Sequence, residues 1–159
     1  MKFSVLLDTS FFIRLLNAAD PLHLNAKEYY KYLLEHKITL KISTISIAEF
    51  CVRDDMENLP LEVLQIIPFT IDHARVAGQF TRSIMDLKNR EKLAIRPRTI
   101  IPNDAKLFAQ AHTDKSIQYF LTSDTESKKT IALLNQSIPL RFTYIDINTA
   151  VNETFGLLF

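Results

Sequence analysis

Two rhythms of apolar and polar positions alternate along this chain. Short apolar runs bounded by polar residues predict strands at Phe3 to Leu7, Thr39 to Ile42, Leu64 to Phe69, Ile117 to Leu121 and Phe142 to Ile145. Pro68 places the third of these near a sheet edge or at its own end, because proline cannot donate to the ladder. Between the runs, apolar residues recur every three or four positions. That period predicts helices from Ser10 to Asn17, from Asn25 onward, from Ile47 to about Asp54, from His73 to about Glu91 with Asp72 as cap, from Asp104 to His112 and from Thr125 to Asn135. The helix opened by Asn25 shows the pattern well: Ala26, Tyr29, Tyr30, Leu33 and Leu34 form one apolar face. Lys92 to Ile101 reads as irregular, and Ala150 to Phe159 as a short helix packed on the body. Strands alternating with helices over the whole length predict βαβ units. The fold class is therefore α/β, a mainly parallel five-stranded sheet with helices on both faces. No linker, repeat or low-complexity tract interrupts residues 1–159, so one domain is expected.

In such a sheet, ligands gather beyond the carboxyl ends of the strands. Asp8 follows the first strand directly, and Asp124 ends Leu121-Thr122-Ser123-Asp124 after the fourth. Glu49 falls in the first turn of the helix from Ile47, and Asp104 opens a helix capped by Asn103. Each acid also has an ordinary explanation. Asp8 and Asp124 suit N-caps, Ser46-Ile47-Ala48-Glu49 is a capping box, and Asp104 suits the positive end of a helix dipole. Together, however, these turns emerge on one edge of the sheet. Carboxylates gathered there repel one another at short range, and hard oxygen donors in that number suit Mg²⁺ or Mn²⁺.

Composition narrows the chemistry further. Of 159 residues, 47% are hydrophobic and 23% charged, which is ordinary for a globular domain. No apolar run approaches the length that spans a bilayer, and Lys2 followed so soon by Asp8 does not make a signal peptide. The lone Cys51 excludes an internal disulfide framework, suits a cytoplasmic setting and is expected in the core. With only two glycines there is no phosphate-cradling loop, dinucleotide fingerprint or nucleophile elbow. His23, His36, His73 and His112 lack zinc-binding spacing. The net charge of +1 shows no general basic excess. Backbone phosphates must therefore meet a local patch, and Lys88, Arg90, Lys92, Arg96 and Arg98 form the densest one, although a solvated helix end and loop is the preferred explanation of it.

The segments Leu-Leu-Asp8-Thr9-Ser10, Ser46-x-x-Glu49-Phe50, Ile101-Pro102-Asn103-Asp104-Ala105 followed by Ala109 and Ala111, and Leu121-Thr122-Ser123-Asp124 resemble the PIN-domain family in order and rough spacing. The resemblance covers nearly the full chain, and the Pro-Asn-Asp-Ala segment is its most specific part. It departs at Glu126 and Ser127, where family members often carry a second Asp and a Phe. Glu126 reads as an outer acid or, preferably, as a first-turn helix charge. The resemblance implies a three-layer PIN-like fold and a metal-dependent ribonuclease. Asp8, Glu49, Asp104 and Asp124 would hold one or two Mg²⁺ or Mn²⁺ ions. Thr9, Ser10 and Thr122 would orient a carboxylate, a water or a phosphate oxygen, unless they only cap backbone, while Arg96 and Arg98 would meet substrate phosphates. It further implies endonucleolytic cleavage of RNA leaving a 5′ phosphate, a homodimer, and, for a VapC-like toxin, an antitoxin whose tail fills the acidic groove. Two other readings stay open: a housekeeping RNA-processing nuclease, and a catalytically inactive PIN-fold interaction module. A phosphatase-type site is disfavoured because Ser10 stands where a second Asp is needed. A receiver domain is disfavoured because Tyr144-Ile145-Asp146-Ile147 offers no lysine.

Overall fold

The computed structural model describes residues 2–91 and 101–156. Its organising element is β1 (Ser4–Leu7), all four residues of which are buried. β2 (Thr39–Ser43), β3 (Leu64–Ile67), β4 (Ile117–Thr122) and β5 (Thr143–Asp146) complete one sheet in the order β3-β2-β1-β4-β5. Every pairing is parallel, and the ladder between β1 and β4 carries an irregularity at Ser4/Val5. β3 lies at an edge with Pro68 just past its end, as its missing donor requires.

Successive residues of a strand face opposite sides, so β1 divides its side chains between two cores. Val5 and Leu7 join Phe11 and Phe12 of α1 (Thr9–Leu15), Ala26, Tyr29 and Leu33 of α2 (His23–Glu35), Phe50 of α3 (Thr44–Phe50) and Val151 of α7 (Val151–Phe155). Leu6 faces the other way. It meets Phe80 and Ile84 of α4 (Ile71–Glu91), Phe108 of α5 (Ile101–Thr113) and Ile131 and Leu134 of α6 (Thr125–Asn135). Tyr29 ties α7 down by donating its hydroxyl to the Thr149 carbonyl at 2.8 Å. Two 3-10 turns, Met56–Asn58 and Leu61–Val63, lead into β3.

Several boundaries differ from the sequence expectation, and each difference has a physical cause. Ser43 is both the last residue of β2 and the N-cap of α3, its hydroxyl accepting from Ile45 N at 3.0 Å. Ser46 is therefore not a cap, and Glu49 lies near the end of α3 rather than in its first turn. α5 begins at Ile101, so Asn103 lies inside its first turn instead of capping it, with Pro102 in the opening turn where its missing N–H costs least. Asp72 likewise belongs to the first turn of α4. Cys51 is exposed, correcting its expected burial: it is the C-cap of α3, beside the 82% exposed Val52. The irregular stretch expected from Lys92 lies outside the described residues, except that Ile101 is helical.

Phe108 is fully buried and packs edge-on against Phe120 and in stacked orientation against Phe142. Phe108→Ala should cost about 3–5 kcal/mol, read as a fall in the urea midpoint with an unchanged slope.

Candidate active site

The chain order places a crevice between β1 and β4. From β1 it moves outward through β2 and β3, then returns to the other flank at β4, so the connections leaving β1 and β4 diverge. A cavity of about 480 Å³ opens there, and Asp8, Glu49, Asp104 and Asp124 all line it. Thr9, Ser10, Asn103 and Arg53 line it as well. Arg53 is the one Lys or Arg among the described lining residues.

Asp8 is the N-cap of α1 and accepts from Ser10 N–H with one oxygen, while the Thr122 hydroxyl donates to the other. The capping explanation and the candidate-site explanation therefore hold for the same side chain. Asp124 similarly caps α6, accepting from Glu126 N at 2.9 Å, and its carbonyl receives the Tyr144 hydroxyl at 3.0 Å. Thr122 is fully buried behind the cavity wall, its hydroxyl 3.1 Å from that of Ser10 and accepting from Asp124 N at 3.0 Å. Ser10 in turn accepts from Ser123 N at 2.9 Å. These bonds fix the turns after β1 and β4 against each other.

Glu49 is held from outside its own helix. The Thr9 hydroxyl donates to Oε2 at 2.9 Å, and Asn103 Nδ2 donates to Oε1 at 2.6 Å. Asp104, only 7% exposed, receives the Ser127 hydroxyl on Oδ1 at 3.1 Å, and its buried Oδ2 has no hydrogen-bond partner. Burial pushes the Asp104 carboxyl up to about 8, assisted by the charges of Asp124, Asp8 and Glu49 and opposed by the Ser127 bond. Burial likewise raises Asp8 to about 6, against its bonds to Thr122 and Ser10. Glu126 lines no part of the cavity and pairs with Lys129 at 2.9 Å. Lys88 is half-buried on α4, and Lys92, Arg96 and Arg98 lie outside the described residues.

Two of these partners escaped the sequence reading. Asn103 looked like a cap, and Ser127 stood at a position noted only as a departure from the family pattern. The available signal for Ser127 was its spacing: three residues after Asp124, it shares the first turn of the same helix.

A hard divalent cation suits this donor set. Four carboxylates wall one cavity, two of them with raised proton affinity, and a buried Asp104 oxygen lacks a partner. As placed, however, no group of three His, Cys, Asp or Glu side chains among the described residues is spaced to hold an ion.

No protein-family model and no curated protein matches this sequence. Solved structures do share its fold, among them a VapC toxin and two VapBC complexes. VapC20 from Mycobacterium tuberculosis, a toxin that cleaves the sarcin–ricin loop, superposes with a TM-score of 0.54 at 22% identity over 79% of this chain and 94% of that one. VapBC2 from Rickettsia felis, bound to promoter DNA, gives 0.59 at 18% identity over 91% and 98%. DNA-bound VapBC from Salmonella typhimurium gives 0.54 at 15% identity over 91% and 98%. The chain thus has the PIN-like α/β fold of the VapC structures, with an all-parallel five-stranded sheet. Among the described residues no helix is long and apolar enough to cross a membrane.

The raised carboxyls set a pH dependence with a definite sign. Asp8 and Asp104 bind protons more tightly folded than at their ordinary value of 3.8. Their contribution to stability is complete below that value and is lost as pH rises through about 6 for Asp8 and about 8 for Asp104. In EDTA, the melting temperature should fall between about pH 5 and about pH 8.5. Mn²⁺ should raise it most at the alkaline end, and Asp104→Asn should flatten the EDTA profile. A profile rising with pH in EDTA would contradict the electrostatics described here.

Proposed function

We propose that this protein is an endoribonuclease of the VapC toxin type, hydrolysing RNA phosphodiester bonds with one or two Mg²⁺ or Mn²⁺ ions in the cytoplasm. The observation that carries the reading is the meeting of Asp8, Glu49, Asp104 and Asp124, from separate segments, around one cavity in a VapC fold. The unpartnered Asp104 Oδ2 supports a cation there. When bound, such an ion lowers the pKa of a water and neutralises charge building on the phosphoryl oxygens.

The chain's own residues have separate tasks in this reading. The four acids hold the ion. Thr122 and the Ser10 N–H orient Asp8, Thr9 orients Glu49, and Ser127 orients Asp104. Ser10 ties the turn after β1 to Ser123. A polyanion approaching four carboxylates needs positive contacts. Arg53 on the cavity wall supplies one, with Arg96 and Arg98 as further phosphate contacts. The toxin that cleaves the sarcin–ricin loop supports RNA as the substrate class, and the VapBC complexes support an antitoxin protein as partner. A homodimer, and an antitoxin tail entering the acidic cavity, complete the proposal.

Single-stranded RNA incubated with Mn²⁺ should be cut by the wild type and spared in EDTA. Asp8→Asn and Asp104→Asn should each slow cleavage by about 100-fold or more, since even outer partners of metal ligands cost about 10–100-fold. Equal cleavage by wild type and both variants would remove the assignment, and an inactive docking module would show no metal-dependent cleavage at all. Replacing Arg96 and Arg98 by Ala should weaken RNA binding and reduce the slope of log affinity against log salt by about 0.7 per lost phosphate contact. An unchanged slope would exclude both residues as contacts.

A further inference from the structure

We infer that Asn103 is a positioning residue that acts through Glu49 to set how tightly the acidic cavity takes a divalent cation. The inference rests on the metal-site reading above and concerns a residue which that reading does not need.

Asp8 and Asp124 are aimed by backbone N–H groups of the helices they cap. Glu49 has no such device. It lies near the C-terminal end of α3, and both of its hydrogen bonds come from other elements: Thr9 on α1 and Asn103 on α5. Three helices thus meet at one carboxylate. A glutamate has more rotatable bonds than an aspartate, so its direction depends most on what holds it. Fixing it beforehand reduces the ordering cost of binding a cation.

The orientation of the Asn103 amide follows from chemistry. An ionised carboxylate only accepts, so the amide must present Nδ2 to Oε1, since its oxygen would meet lone pairs. A neutral amide is also the appropriate kind of donor. Lysine or arginine at this place would cancel the charge of Glu49 and compete with the ion, whereas Asn103 aims the carboxylate and leaves its charge available. Asn103 directly precedes Asp104 in the first turn of α5, so this turn presents one acid and tethers another.

The test compares wild type with Asn103→Ala and Asn103→Leu, Leu preserving volume in case Ala does not fold. Mn²⁺ affinity is read by electron paramagnetic resonance, and melting in EDTA reports structure alone. Both variants should bind Mn²⁺ about tenfold more weakly. Their melting in EDTA and their KM for RNA should stay at the wild-type level, while kcat falls at limiting Mn²⁺. Wild-type affinity in the variants overturns the inference, as does an affinity loss matched by a fall in EDTA melting temperature, which marks a structural role. Should the wild type bind Mn²⁺ but not cut RNA, the nuclease reading fails alone and the affinity comparison still decides the role of Asn103. A wild type that binds no Mn²⁺ overturns both.

Discussion

Asp104 is nearly inaccessible to solvent, and the charges of Asp124, Asp8 and Glu49 all act on it. Folding gathers these acids into a cavity where water screens them poorly, so each ionisation makes the next more costly. Among the described lining residues only Arg53 carries the opposite sign. The folded chain therefore holds electrostatic tension that a bound divalent cation would relieve, and the two parallel-sheet cores supply the stability that sustains it.

Other buried charge in the same molecule is treated differently. Lys41, 7% exposed on β2, pairs with Asp114 and donates to Ser116 at 2.9 Å, near the opposite end of the strands. Burial raises the Asp114 carboxyl, but the hydrogen bonds from Lys41 and Ser116 outweigh it and leave the group below its ordinary value. At the carboxyl edge the supporting groups are neutral: Thr9, Ser10, Thr122, Ser127 and Asn103. Hydroxyls and amides aim a carboxylate without supplying an opposite charge. The contrast separates charge that is compensated by a cationic side chain from charge that its hydrogen-bond partners leave uncompensated.

Most of the elements were legible because a fully parallel sheet needs apolar strands and amphipathic covering helices. The helix Thr125–Asn135 and the edge position of the strand before Pro68 followed from periodicity and from proline's missing donor. The errors cluster where several residues compete for one local role. Ser43, Thr44 and Ser46 all suit an N-cap, and only pairing with β3, where Ser43 stands opposite Ile67, decides that β2 runs on to Ser43. That shift carried Glu49 away from its supposed capping box. It also removed the local explanation for the residue, leaving partners that lie 40 and 54 positions away in the chain.

The amino-acid order alone determined the alternation of strands and helices, the absence of phosphate loops, and the placing of Asp8 and Asp124 in turns at one sheet edge. Those properties depend on neighbours a few residues apart, through side-chain period and capping. Tertiary structure alone decided that Glu49 turns toward Thr9 and Asn103, that Ser127 reaches Asp104, that Cys51 is exposed, and that one oxygen of Asp104 is left unpaired. Those properties depend on how α1, α3, α5 and α6 pack around the end of the sheet. Hydrogen bonds and charge repulsion between residues distant in the chain act only once that packing brings them within a few ångströms.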